Sequence, residues 1–248
     1  MKKFGIIGFP LAQSASPAFF NKKFEKEGID AVYLPFEIES IDELPAILEQ
    51  HPELCGFNVT IPYKQKVMQY LAGMSGEAKD IDAVNVVKVT RDSDGKPVLQ
   101  GFNSDVIGFT RSIEALIKGK HKKALILGTG GASKAIAYSL KRLGIEYIFV
   151  SRSAGEGKIA YADLNKEIIE EHTLIVNCTP LGMTGHGIDK CPDIPYEHVR
   201  EKHLFYDIVY NPENTLFLQK GAERGATTKS GYEMWYLQAL ASWEIWNR

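Results

Sequence analysis

The chain has 248 residues, 44% hydrophobic and 24% charged, with a formal net charge of −2, a balance that suits a soluble globular protein of one or two domains. It carries no basic excess for nucleic acid, and no apolar run approaches the roughly 20 residues of a membrane span. Cys55, Cys178 and Cys191 are odd in number and widely spaced, as reduced thiols in a cytoplasm would be, and the histidines show no ligand spacing beyond that of His198 and His203, so no metal is expected.

In chain order, residues 4–7 form a first strand; the apolar run is too short for a signal sequence and meets Pro10 and Gln13. Ser14 and Ser16 follow. Ser16 reads as an N-cap with Pro17 at the first position of a helix to about Glu27. Both serines have local roles available, and two hydroxyls after a parallel strand also suit a polyol or carboxylate ligand. Residues 31–36 form a second strand, 41–50 a helix and 55–61 a third strand ending at Pro62. This β-α-β-α-β order builds a small parallel sheet. Ligands bind open α/β sheets at the carboxyl ends of their strands. There, Asn58 and Thr60 alternate with Val59 and Ile61 and so share a face. Lys64 opens the next helix, to about Met74; a lysine is unfavourable at a helix N-terminus, which favours a functional role over a solvated one. Residues 84–90 and 98–99 pair as a hairpin about Ser93-Asp94-Gly95, with Asn85 near its start. A helix from Val106 to Lys118 follows Asp105, which is either its N-cap or a substrate-binding carboxylate at a hinge.

Residues 122–153 form a βαβ unit. The apolar run Ala124-Leu125-Ile126-Leu127 is a strand buried on both faces. Gly128-Thr129-Gly130-Gly131-Ala132-Ser133 turns into a helix closed by Gly144, and residues 147–150 return as a second strand. Such a turn lets a pyrophosphate approach the backbone and the helix N-terminus. Ser133 takes the third position of the usual fingerprint, where its hydroxyl is small enough to fit and is a candidate phosphate donor. An NAD site needs an acidic residue at the end of the second strand. Ser151-Arg152-Ser153 stands there instead, and an arginine pairs with a 2′-phosphate, which favours NADP over NAD. Beyond this unit, 174–177 and 204–209 are strands, 216–224 a helix and 226–228 a short strand. Residues 232–246 are helical, with Met234, Leu237, Leu240, Ala241 and Ile245 on one face.

With these motifs in order, the chain resembles the shikimate dehydrogenase family over essentially its whole length. The resemblance rests on Ser14-Ala15-Ser16-Pro17, Asn58 through Lys64, Ala83-Val84-Asn85, Asn103-Ser104-Asp105, Gly128 through Ser133, Asn177 through Met183, Tyr206 through Tyr210 and Gly231 through Gln238. It implies a two-domain α/β fold. A small, mainly parallel substrate domain covers 1–104 and 230–248, and an NAD(P)-binding Rossmann domain covers 105–229. It implies reversible, NADP-dependent (NADPH-oxidising) conversion of 3-dehydroshikimate to shikimate, on the route to chorismate and aromatic amino acids, by a cytoplasmic monomer or homodimer. Lys64 is then the acid/base, with Asp105 hydrogen-bonded to it and to the reacting hydroxyl region. Ser14, Ser16, Asn58, Thr60, Asn85, Tyr210 and Gln238 hold the substrate. Gly128, Gly130, Gly131, Ala132, Ser133, Ser151, Arg152, Ser153, Thr179, Gly231 and Met234 hold the cofactor.

Two alternatives stand beside it: a relative that oxidises quinate or uses NAD, and a non-catalytic regulator that senses shikimate. The lack of an acidic residue at 151–152 argues against the first, and the presence of both Lys64 and Asp105 against the second. The chain departs from the family pattern in three places. Glu156 and Lys158 occupy a segment where a second arginine is frequent, Ser104 replaces a threonine, and Asp82 stands where glycine is common. If Arg152 reads the 2′-phosphate, Arg152→Ala raises the KM for NADP far more than the KM for NAD. An equal rise in both, measured by initial rates, removes that assignment.

Overall fold

The computed structural model describes residues 1–12, 14–117 and 119–248, so the expected helix end at Lys118, like Gln13, lies outside the described residues. The chain forms two compact units: Met1–Ser104 with Ala239–Arg248, and Asp105–Gln238.

The first unit carries strands β1 (Lys2–Gly8), β2 (Ala31–Glu37), β3 (Leu54–Val59), β4 (Gly73–Met74), β5 (Val86–Arg91) and β6 (Pro97–Phe102), with helices α1 (Ser16–Glu27), α2 (Leu44–Gln50) and α3 (Gly76–Ile81). Its sheet order is β2-β1-β3-β5-β6-β4. β1 runs parallel to both β2 and β3, while β5 is antiparallel to β3 and β6. The expected hairpin thus extends the parallel core as antiparallel strands of the same sheet.

Two local expectations are corrected. Ser16 is not the N-cap of α1: Ala15 is already helical (φ −81°, ψ −9°) and no side chain caps the helix. The Ala15 carbonyl accepts from Phe19 N–H at 3.0 Å, so Ser16 lies inside the first turn. Lys64 does not open a helix either. A 3-10 helix forms only at Lys66–Tyr70, and the chain is extended at Leu71. The Lys64 carbonyl accepts from Val84 N–H at 2.8 Å instead of from its own helix, and Met68 N–H reaches only to Gln65.

The second unit carries α4 (Asp105–Ile117), β7 (Lys123–Leu127), α5 (Gly131–Arg142), β8 (Glu146–Ser151), β9 (Lys158–Ala160), α6 (Lys166–Glu171), β10 (Leu174–Asn177), β11 (Leu204–Asp207), α7 (Leu216–Glu223) and β12 (Thr227–Lys229). The last helix, α8 (Tyr232–Trp246), contains the division between the units. All neighbouring strands are parallel, in the order β12-β11-β10-β7-β8-β9. Counted from β7 this is the doubly wound order 3-2-1-4-5-6 of dinucleotide-binding sheets. β9 and α6 carry too few apolar residues to announce themselves in the sequence. The strands alternate as buried ones must: Ala124 and Ile126 face one core with Leu174 and Val176, and Leu125 and Leu127 face the other with Ile175. On α8, Met234, Ala239, Ala241, Ser242, Ile245 and Trp246 are buried, whereas Leu237 and Leu240 are only partly covered. The single apolar face therefore gives way, partly because Ser242 and Trp246 reach inward to hydrogen bonds with Asn58 and the Val87 carbonyl.

Gly108 sits one turn after Asp105 on the same face of α4. A Cβ there would lie 2.5 Å from the Met234 carbonyl oxygen and 3.0 Å from Gln238 Cβ. Replacing a mid-helix glycine by alanine gains about 1 kcal/mol of propensity. The clash meets backbone that has no rotamer to escape into, and such overpacking costs about 1–3 kcal/mol. Gly108→Ala is therefore expected to lower the Tm by a few degrees, and a Tm raised by the substitution would show that α4 and α8 have room between them.

Candidate functional site

In the first unit, β1 and β3 lie side by side but lead to connections on opposite sides, so their carboxyl ends form a topological switch point. The loops leaving these ends are laced together: Thr60 N–H donates to the Ile7 carbonyl at 2.9 Å and Phe9 N–H to that of Ile61 at 3.0 Å. The Leu11 amide donates to Glu37 Oε2 at 2.5 Å, which holds the serine loop from the end of β2. Tyr63, fully buried, donates its hydroxyl to the Ile38 carbonyl at 2.7 Å and anchors the turn that carries Lys64.

The expected substrate residues of this unit separate into two kinds. Asn58 and Asn85 are buried and committed to the protein. Asn58 Nδ2 donates to Ser242 Oγ at 2.9 Å and to the Asn85 carbonyl at 3.2 Å, while its Oδ1 accepts from the Tyr33 hydroxyl at 2.8 Å. Asn85 Oδ1 accepts from Ser104 N–H at 2.7 Å, and its Nδ2 donates to Ser104 Oγ at 3.1 Å. Ser14, Ser16 and Thr60 are the other kind. Among the described residues their hydroxyls make no hydrogen bond, although Ser16 is only 6% exposed. Hydroxyls without a protein partner at the carboxyl ends of the strands are available to a ligand.

In the second unit the switch point lies between β7 and β10. Gly128, with φ 104°, has the backbone of Cys178 and the methyl of Thr179 within 3.3 Å of where a Cβ would stand, so the two loops touch and only glycine fits. α5 begins at Gly131 behind Gly130, with no side chain capping it. A Cβ on Gly130 would meet no protein atom within 4 Å. Bare N–H groups before an open approach fit a pyrophosphate. Ser133 is buried and donates its hydroxyl to the Gly130 carbonyl at 2.6 Å, so it braces the turn and its proton is engaged there. At the end of β8, Ser151 Oγ donates to the Ser153 carbonyl at 2.5 Å, shaping a turn that leaves Arg152 exposed. Among the described residues Arg152 makes no ion pair or hydrogen bond, which fits a cation that awaits a phosphate.

Of the remaining expected residues, Asp105 is buried at the start of α4 and Gln238 is half-buried where α8 meets Gly108. The Tyr210 ring stacks on Trp235 at 5.2 Å. Gly231 donates to the Val209 carbonyl at 3.1 Å, and Met234 is packed among Phe109, Ile113 and Tyr206 in the core. Ala132 lies in the first turn of α5. Among the described residues no group of three or more His, Cys, Asp or Glu side chains could hold a metal, and no helix is long and apolar enough to cross a membrane.

The shikimate dehydrogenase (NADP(+)) of Aquifex aeolicus is 36% identical over 255 residues, covering 98% of this chain and 90% of its own. The chain belongs to the shikimate dehydrogenase family. Residues 6–87 match the family's substrate binding domain. The crystal structure of an Aquifex aeolicus shikimate dehydrogenase has a TM-score of 0.86 at 33% identity, over 100% of this chain and 92% of that one. A Thermus thermophilus shikimate 5-dehydrogenase, solved in complex with NADP(H) and shikimate, has a TM-score of 0.83 at 30% identity, over 99% of this chain and 93% of that one.

In this shikimate dehydrogenase family member, Glu37, Ser242, Trp235, Asn177 and Asp207 have supporting roles that a reading of the sequence does not assign, although the last three stand in its motifs, because they act through contacts between distant segments. Asp207 is the most consequential. Its Oδ1 accepts from Asn177 Nδ2 and Val209 N–H, both at 3.0 Å, and its Oδ2 from the Thr215 hydroxyl at 2.6 Å. Asn177 in turn accepts from the Thr179 amide at 3.0 Å and hydroxyl at 2.7 Å, fixing the loop against Gly128. Burial pushes the Asp207 carboxyl up from 3.8 to about 6, against the pull of those three donors. The folded state thus keeps a proton that the unfolded chain releases, so this group's contribution to stability falls as pH rises from about 4 to about 6. Asp207→Asn removes the titration. The difference in Tm, variant minus wild type, is expected to grow in the variant's favour across that window; parallel curves would mean that the carboxylate is not desolvated.

Proposed function

We propose that the protein is an NADP-dependent shikimate dehydrogenase that reversibly reduces 3-dehydroshikimate to shikimate, on the route to chorismate and the aromatic amino acids. The observation that carries the reading is the set of uncommitted hydroxyls beyond the carboxyl ends of β1 and β3: Ser14 on the loop after β1, Ser16 in the first turn of α1 and Thr60 just past β3, with Lys64 in the turn that follows. A polyhydroxylated carboxylate needs such donors and acceptors. Asn58 and Asn85 serve that surface by holding its backbone, and Tyr210 and Gln238 are assigned to substrate by the resemblance.

NADPH, when bound, supplies the hydride to the carbonyl carbon. Residues 128–133 receive its pyrophosphate, and Arg152, flanked by Ser151 and Ser153, its 2′-phosphate; Thr179, Gly231 and Met234 are assigned to it by the resemblance. Lys64 delivers the proton to the carbonyl oxygen, and its ammonium stabilises the negative charge that develops there. In the reverse direction it takes that proton back. Asp105 is the carboxylate assigned to the same step.

The enzyme works in the cytoplasm, which the three cysteines, none in a disulfide, support. It acts as a monomer or homodimer on a small-molecule substrate.

The test is nicotinamide absorbance with shikimate or quinate and NADP or NAD, in all four pairings, with Lys64→Ala alongside. The expected result is fast reduction of NADP by shikimate, and turnover lowered by about 10²–10⁴-fold in Lys64→Ala with substrate binding kept. Activity with quinate or NAD would assign the broader specificity, silence in every pairing the sensor, and an active Lys64→Ala would remove Lys64 from the mechanism.

A further inference from the structure

Among the described residues, one non-glycine residue has a positive φ: Asp82, at φ 57° and ψ 42°, which ends α3. A left-handed backbone costs a residue with a Cβ about 1 kcal/mol, and glycine would carry it freely. The side chain has a use that glycine could not supply. Asp82 Oδ2 accepts from Gln65 Nε2 at 2.9 Å. Two residues on, Val84 N–H donates to the Lys64 carbonyl at 2.8 Å. The segment from Asp82 to Val84 therefore grips two consecutive residues, one through its backbone and one through its side chain. No regular helix holds the chain between Pro62 and Lys66. The backbone there is fixed by this double grip, by the buried Tyr63 side chain, and by the turn bonds from Tyr63 N–H to the Thr60 carbonyl and from Val67 N–H to the Tyr63 carbonyl, both at 2.9 Å.

We propose that Asp82 is a positioning residue for Lys64: through its hydrogen bond to Gln65 it fixes the direction in which the Lys64 side chain leaves the chain, and the left-handed backbone is retained for that purpose. This rests on the reading of Lys64 as the proton-transfer group. A lysine reaches its substrate through four rotatable bonds, so a small rotation at its Cα displaces the ammonium by far more. Such a displacement costs turnover and leaves binding by the hydroxyls of Ser14, Ser16 and Thr60 largely untouched.

The variants separate positioning from stability. Asp82→Gly removes both the strain and the acceptor; kcat is expected to fall about five- to tenfold, with KM for shikimate within about twofold of wild type and Tm held or raised. Asp82→Asn, which tolerates the left-handed backbone and offers Gln65 an oxygen, restores kcat. Gln65→Ala repeats the loss, and combining it with Asp82→Gly adds nothing further. A residue of merely structural value would move stability and turnover together. Wild-type kcat in either Asp82→Gly or Gln65→Ala, or no rescue by Asp82→Asn, overturns the proposal. Lys64→Ala run in parallel tells the two readings apart. If it keeps full activity, the acid/base reading falls and the proposal with it; if it is inactive while Asp82→Gly is not impaired, the proposal falls alone.

Discussion

The Asn58 side chain sits near the carboxyl end of β3 with both amide protons and its oxygen committed to buried partners. A primary amide left unsatisfied in such a place costs about 1–3 kcal/mol per group, so the partners must arrive together. They come from far along the chain: Tyr33 on β2, the Asn85 carbonyl before β5, and Ser242 on α8, which also meets Ser104 at 3.2 Å. Ser104 in turn occupies the amide of Asn85. One polar network therefore ties the parallel core, the hairpin and the last helix of the first unit. A shift of one residue in any of them would break several bonds at once, which fixes register more strictly than apolar packing does.

That commitment explains a division of labour at the carboxyl ends of the strands. Asn58, Asn85 and Ser104 are spent on each other and on Ser242, and the hydroxyls of Ser14, Ser16 and Thr60 are not. Asn58 and Thr60 alternate on one strand and its exit, yet the amide is structural and the hydroxyl uncommitted: Thr60 follows the last residue of β3 and is tied to β1 through its backbone N–H to the Ile7 carbonyl. Ser16 reaches the same condition differently. Since Ala15 already begins α1, the serine is relieved of capping and its hydroxyl stays available.

The second unit solves the same problem with a carboxylate. Asp207 is buried with three donors around it, enough to hold Asn177 and Thr215 but too few to offset desolvation, and the carboxyl titrates higher than usual as a result. Through Asn177 it sets Thr179, which meets Gly128 across the switch point. The glycine turn between β7 and α5 is thus bounded by a fixed wall on one side and by the open approach at Gly130 on the other. Ser133 completes it from beneath by closing onto the Gly130 carbonyl.

The sequence by itself determined which segments are strands and helices wherever the apolar period is strong, as in β7, α5 and β8, and that the turn between β7 and α5 suits a dinucleotide. Local physics decides those things: side-chain alternation, glycine at a turn, an arginine where an acid would otherwise stand. It could not show that Lys64 precedes a 3-10 turn and opens no helix, because the Val84 amide that claims its carbonyl is 20 residues away in sequence. Nor could it sort amides from hydroxyls, or give Asp82 a reason. Whether a polar group is free or committed depends on which distant groups the fold brings within hydrogen-bond reach, and only the tertiary structure sets those distances.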